Sequence, residues 1–85
     1  MTRWKVSVLI RPRRGILDPQ GKAVEGALHS LGFEGVKDVH VGRNLVIECD
    51  AAGEAEARSA VTAMCEKLLA NPVIEDFEIA SATEA

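Results

Sequence analysis

At 85 residues the chain is expected to be one domain, 1–85, long enough for a single two-layer core and too short for a second domain or a deep, enclosed active site. Hydrophobic residues make up 47% and charged residues 27%, the balance of a globular chain rather than a disordered one. Ten Lys and Arg against thirteen Asp and Glu give a net charge of −3, which argues against a nucleic-acid binder; Arg11-Pro12-Arg13-Arg14 is the one basic cluster.

In chain order, Trp4 to Ile10 alternates Trp4, Val6, Val8 and Ile10 against Lys5 and Ser7, the period of a strand with one buried face. The apolar run from Val6 is broken by Ser7 and followed by arginines, too short for a signal sequence or a membrane span, so a cytoplasmic location is expected. Pro12 and Gly15 mark a loop, a solvated one unless its arginines meet an acidic partner or a phosphate. Asp18 to Leu31 then carries Val24, Ala27, Leu28 and Leu31 at helical spacing, with Gly32 as C-cap. Asp18 suits the N-cap and Pro19 the first helical position, where a missing N–H is harmless. Gly21 and Gly26 each cost about 1 kcal/mol relative to alanine in a helix. Either another backbone approaches the helix there, or the two glycines are simply tolerated.

"VKDVHVG" and "RNLVIECD" read as two short strands joined by a hairpin at Gly42-Arg43-Asn44. A second helix is predicted from Gly53 to Ala70, with Ala57, Val61, Met64, Cys65 and Leu68 on one stripe and Asn71-Pro72 as its stop. "VIEDFEI" alternates as a last strand, and the tail "ASATEA" is expected to fray, leaving an ordered core of about residues 3–80. Cys49 and Cys65 form no CxxC pair and read as free thiols.

The order β-α-β-β-α-β predicts a ferredoxin-like α+β sandwich, a four-stranded antiparallel sheet with two helices on one face. Leu9, Val46 and Ile74 fall on the opposite strand faces and would leave an apolar patch on the uncovered side, a candidate face for self-association. No nucleophile stands beside a base: the serines lack a motif, and His29 and His40 lie in unrelated elements. Glu75, Asp76 and Glu78 read as a solvated or interfacial strand edge rather than a metal site. No catalytic residue and no metal ligand is therefore assigned. A ferredoxin-like module that binds a small regulatory ligand is the rival function; RNA binding is disfavoured because the central strands lack stacking aromatics.

"LDPQGKAVEGALHSLGF", "VHVGR" and "CEKLLANPVIEDFEI", in this order and spacing, resemble the PurS family, the small subunit of multi-subunit phosphoribosylformylglycinamidine synthase. The likeness runs from the first strand to Ile79, with Phe77 where tyrosine is frequent and Arg43 where lysine is. It implies a noncatalytic subunit of an ATP- and glutamine-dependent ligase of purine biosynthesis. Its partners would be a large synthetase subunit, which uses ATP and magnesium, and a glutaminase subunit; this chain would bind no cofactor, nucleic acid or membrane. A homodimer or homotetramer is implied as well. On this reading the interfacial residues are Asp18, Pro19, Gln20 and Gly21 at the start of the first helix, Gly42 and Arg43 at the hairpin, and Asn71 and Pro72 before the last strand.

Overall fold

A computed structural model describes all 85 residues. The elements are β1 (Thr2–Pro12), α1 (Pro19–Ser30), β2 (Arg43–Ala51), α2 (Glu54–Met64), a π-helical turn (Cys65–Leu69) and β3 (Glu75–Glu84). The strands form one antiparallel sheet in the order β2-β1-β3, so the first strand is the central one.

The alternation in β1 sets the core. Val6, Val8 and Ile10 are all but inaccessible, and directly opposed residues of antiparallel strands share a face. Ile47 and Leu45 of β2 and Ala82, Ile79 and Phe77 of β3 therefore join them on one side of the sheet. Onto that side α2 lays Ala57 and Val61, and Cys65 continues the row at four-residue spacing. Burial pushes the Cys65 thiol pKa up, which keeps it protonated among its apolar neighbours. No helix is long and apolar enough to cross a membrane.

The fourth strand is absent: the chain is β-α-β-α-β, and residues 36–42 run outside the sheet. Three of the backbone groups that a ladder could use there are already engaged. His29 Nε2 donates to the Val36 carbonyl at 2.8 Å, the Asp38 carboxylate accepts from the Val39 N–H at 3.1 Å, and that of Asp18 from the Val41 N–H at 2.8 Å. With no strand at 36–42 there is no hairpin at Gly42-Arg43-Asn44, and Arg43 and Asn44 simply begin β2.

The helix layer differs too. The α1 stripe does not meet the sheet: Gly21, Glu25 and Leu28 are covered, whereas Val24, Ala27 and Leu31 face outward. Helix α1 and the returning segment form an arm that leaves the body, and the molecule measures 51 × 26 × 14 Å. At the other end α2 stops at Met64 and the π-helical turn carries the chain to Leu69, short of the single helix expected to Ala70. The Ala70 N–H still reaches back to the Cys65 carbonyl at 3.0 Å.

The tail expected to fray is strand. Ser7 pairs with Ser81 while Val8 pairs with Ile79, so Ala80 is the extra residue of a bulge. The bulge resets the alternation and returns Ala82 to the core, and pairing continues until the Ala85 N–H meets the Arg3 carbonyl at 2.9 Å.

Candidate functional site

The structure gathers most of the residues singled out in the sequence at one corner, where the arm leaves the body. Asp18 is the extended N-cap of α1, with Pro19 in the first turn. Its carboxylate works twice: Oδ1 accepts from the Gly21 N–H at 3.0 Å and Oδ2 from the Val41 N–H at 2.8 Å. One side chain thus caps the helix and ties the returning segment to it. The bond from Gly21 and then that from Val41 hold the Asp18 carboxyl below its ordinary value of 3.8.

Two glycines let backbone pass backbone here. A Cβ on Gly21 would collide with the Val39 carbonyl oxygen, and one on Gly42 with that of Ile10. Around Gly26 there is open space, so of the two helical glycines only the first answers to a close approach.

Arg43 is half exposed but fully engaged. Its Nη1 lies 2.9 Å from Glu75 Oε2, while Nη2 donates to Glu75 Oε1 at 3.1 Å and to the Leu69 carbonyl at 2.9 Å. Glu75 Oε1 also accepts from the Asn71 N–H at 2.8 Å, and Asn71 Oδ1 from the Val73 N–H at 3.0 Å. This network clasps the first residue of β2, the end of the π-helical turn and the first residue of β3. The Asn71 N–H, followed by the Arg43 guanidinium, lowers the Glu75 pKa below its ordinary 4.5.

A cleft of about 230 Å³ opens at this corner, lined by Asp18, Pro19, Gln20, Gly42 and Arg43 together with Ile16, Leu17, Ile74 and Glu75. Gly21 stands one turn behind it, and Asn71 is joined to it through Glu75. Pro72 lines a neighbouring cleft of about 300 Å³ that shares Glu75. Sequence reasoning missed Ile16, Leu17 and Glu75. Leu17 is 74% exposed at the rim, and Glu75 had looked like one charge of a solvated edge. No local pattern could have paired Glu75 with Arg43, 32 residues away.

The trio considered for self-association is not one surface. Val46 is exposed and opposes Ser7, and the half-buried Leu9 opposes Asn44 and Glu78, so polar and charged groups separate them on the outer face. Ile74 belongs to the turn before β3 and faces the corner cleft, its carbonyl accepting from the Arg13 N–H at 2.8 Å. The two histidines hold local structure: His29 as described above, and His40 Nε2 at 3.0 Å from Asp38 Oδ2.

Asp18 and Glu75 make the corner sensitive to acid. Both pKa values are depressed on folding, so the stability they contribute is full above the unfolded values near 3.8 and 4.5 and is lost as the pH falls through the lower folded values. Urea midpoints measured downward from pH 5 are expected to fall, and to fall less steeply in Asp18→Asn and Glu75→Gln than in the parent. Equal slopes in all three would remove both carboxylates from the account.

Residues 5–83 match the profile of a family described as PurS, phosphoribosylformylglycinamidine (FGAM) synthase. Among curated proteins, the phosphoribosylformylglycinamidine synthase subunit PurS of Methanocaldococcus jannaschii is 41% identical over 76 residues, covering 89% of this chain and 92% of the relative. A solved structure of Thermus thermophilus PurS superimposes with a TM-score of 0.86 at 43% identity, covering 98% of both chains. A chain in the structure of PurLQS from Thermotoga maritima superimposes with a TM-score of 0.84 at 29% identity, over the whole of both. By profile, sequence and fold alike, the chain belongs to the PurS family.

Proposed function

We propose that this chain is the noncatalytic small subunit of phosphoribosylformylglycinamidine synthase and acts in the cytoplasm. It bridges an ATP-dependent synthetase subunit and a glutaminase subunit so that ammonia from glutamine reaches formylglycinamide ribonucleotide. The observation that carries this reading is the end-to-end likeness to a chain of the Thermotoga maritima PurLQS structure. Ammonia is nucleophilic only when unprotonated, and in open water at neutral pH it is mostly protonated and diffuses away. A subunit that holds two active sites in one geometry protects it without touching it. ATP and magnesium belong to the synthetase subunit, and no cofactor is assigned to this chain.

The corner cleft is the surface we assign to the large partners. Its apolar rim of Ile16, Leu17 and Ile74 is exposed on a backbone fixed by Asp18, Gly21 and Gly42. Arg43, although it lines the cleft, is occupied by Glu75 and the Leu69 carbonyl. The chain also associates with itself, as a dimer or tetramer: its radius of gyration is 16.3 Å, whereas a compact domain of this length has about 12 Å.

Turnover by the synthetase and glutaminase subunits, with glutamine or ammonium salt as nitrogen donor, tests the assignment. Adding this protein is expected to raise glutamine-dependent turnover at least tenfold and leave the ammonium-dependent rate unchanged. Leu17→Asp should keep the circular dichroism spectrum and lose most of that gain. Glutamine-driven turnover that is equally fast without the protein would refute the bridging role.

A further inference from the structure

The cleft of about 300 Å³ beside the corner lies between the π-helical turn and the start of β3. Pro72 and the half-buried Phe77 give it apolar walls, and its polar lining is Arg13, Glu66, Glu75 and Asp76. The chain that forms one wall also exposes Leu68, 82% accessible, and Val73, 75% accessible. A groove with apolar walls and an apolar rim is thus open on the body, apart from the rim of Ile16, Leu17 and Ile74 at the corner.

Its charge is unbalanced. Of the three carboxylates, Asp76 Oδ1 lies 3.3 Å from Arg13 Nε, and Glu75 is held by Arg43 from the corner side. Glu66 has no ion pair and no side-chain hydrogen bond, and Lys67 next to it neither pairs with it nor lines the cleft. Hydrogen-bond donors are short at the same place. The Ala70 N–H goes to the Cys65 carbonyl, that of Asn71 to the Glu75 carboxylate and that of Val73 to the Asn71 side chain. The Ile74 and Glu75 N–H groups go to the Asn71 carbonyl, and Pro72 has none. The carbonyls of Glu66, Lys67 and Leu68, which a helix points toward its C-terminal end, therefore receive no bond from the chain that follows. The dipole of the helical run from Glu54 to Leu69 makes this end favourable for a cation. The neighbouring Leu69 carbonyl shows what satisfies such a group: it accepts from the Arg43 guanidinium, which bonds the Glu75 carboxylate at the same time.

We infer that this cleft receives an arginine presented by one of the large partner subunits, its guanidinium bonded to Glu66 and the free carbonyls and stacked on Phe77. Arginine meets these demands where lysine does not, because its planar fork donates in several directions while its face lies on an aromatic ring. The inference rests on the partnership proposed above and adds a second contact of different chemistry. The corner offers an apolar rim, and this cleft offers a pocket for a charged anchor of the kind that dominates interface energies. Glu75 lines both, so the clasp to Arg43 holds them at a fixed spacing.

Titrating this chain into the synthetase and glutaminase subunits, with glutamine-dependent turnover as the readout, gives a half-saturating concentration for assembly. Glu66→Lys is expected to raise it about tenfold, the scale of one charge-assisted hydrogen bond, and high salt should narrow the gap to the parent. Glu66 is exposed and supports nothing within its own chain, so circular dichroism should report an unchanged fold. Nuclear magnetic resonance tests the site without the partners. N-acetyl-arginine amide should shift the Glu66, Ala70 and Phe77 signals saturably in the parent and not in Glu66→Lys, and the citrulline analogue, neutral and of the same shape, should not shift them. Unchanged half-saturation in Glu66→Lys, or arginine shifts that persist in that variant, overturns the arginine site and leaves the bridging role standing. Turnover that is independent of this chain at every concentration overturns both.

Discussion

Arg43→Glu is expected to lower the unfolding free energy by about 2 kcal/mol or more, the scale of hydrogen bonds to charged groups. The guanidinium supplies both bonds to the Glu75 carboxylate and one to the Leu69 carbonyl, and glutamate supplies none of them. It also sets a second negative charge beside Glu75, whose side chain is 16% exposed. A residue at a hairpin tip would tolerate this change and affect assembly alone; one that clasps three segments cannot. Urea denaturation followed by circular dichroism measures the loss. Adding Glu75→Arg should restore only part of it, because the new arginine cannot accept from the Asn71 N–H and the new glutamate cannot donate to Leu69. An unchanged midpoint in the single variant would show that the clasp contributes nothing.

Gly21→Ala is expected to cost about 1–3 kcal/mol, the range for forcing extra atoms into a packed site. Unlike a side chain, the Val39 carbonyl it would strike can yield only by moving backbone, which pulls the Val41 N–H away from Asp18. Damage should therefore concentrate in the arm. Amide exchange is expected to quicken in α1 and at Val39 and Val41, with β1 and α2 little affected. Gly26→Ala, which meets open space in the same helix, should be neutral or stabilise by about 0.5–1 kcal/mol. Equal behaviour of the two variants would refute the close approach at Gly21.

What the sequence disclosed follows the range of the interactions involved. Alternation from Trp4 to Ile10 and the Ala57, Val61, Cys65 row are local periodicities, and each became the buried face it described. The Asp18-Pro19 start of α1 is also local, and its cap formed as read. Residues 36–42 have a strand's composition, yet the Val36 carbonyl and the Val39 and Val41 N–H groups are claimed by His29, Asp38 and Asp18, and no pattern within the segment announces that competition. The tail "ASATEA" looks too small and polar for a strand. It becomes one because a bulge at Ala80 brings Ala82 back to β1, a partner some 75 residues earlier. At the corner the marked residues came together, but the Glu75 that joins them across Arg43 and Asn71 was visible only in three dimensions.

The position of the first strand at the centre of the sheet governs how the chain folds. β1 can pair only with segments that begin some forty and seventy residues later, so the body has high contact order and must close long loops before its core forms, the topology of slow folders. The arm is the opposite case: its bonds from Asp18 to Gly21 and Val41, and from His29 to Val36, close within about two dozen residues. The arm can therefore form from local contacts alone, whereas pairing β3 with β1 closes the longest loop in the chain and carries the largest closure entropy.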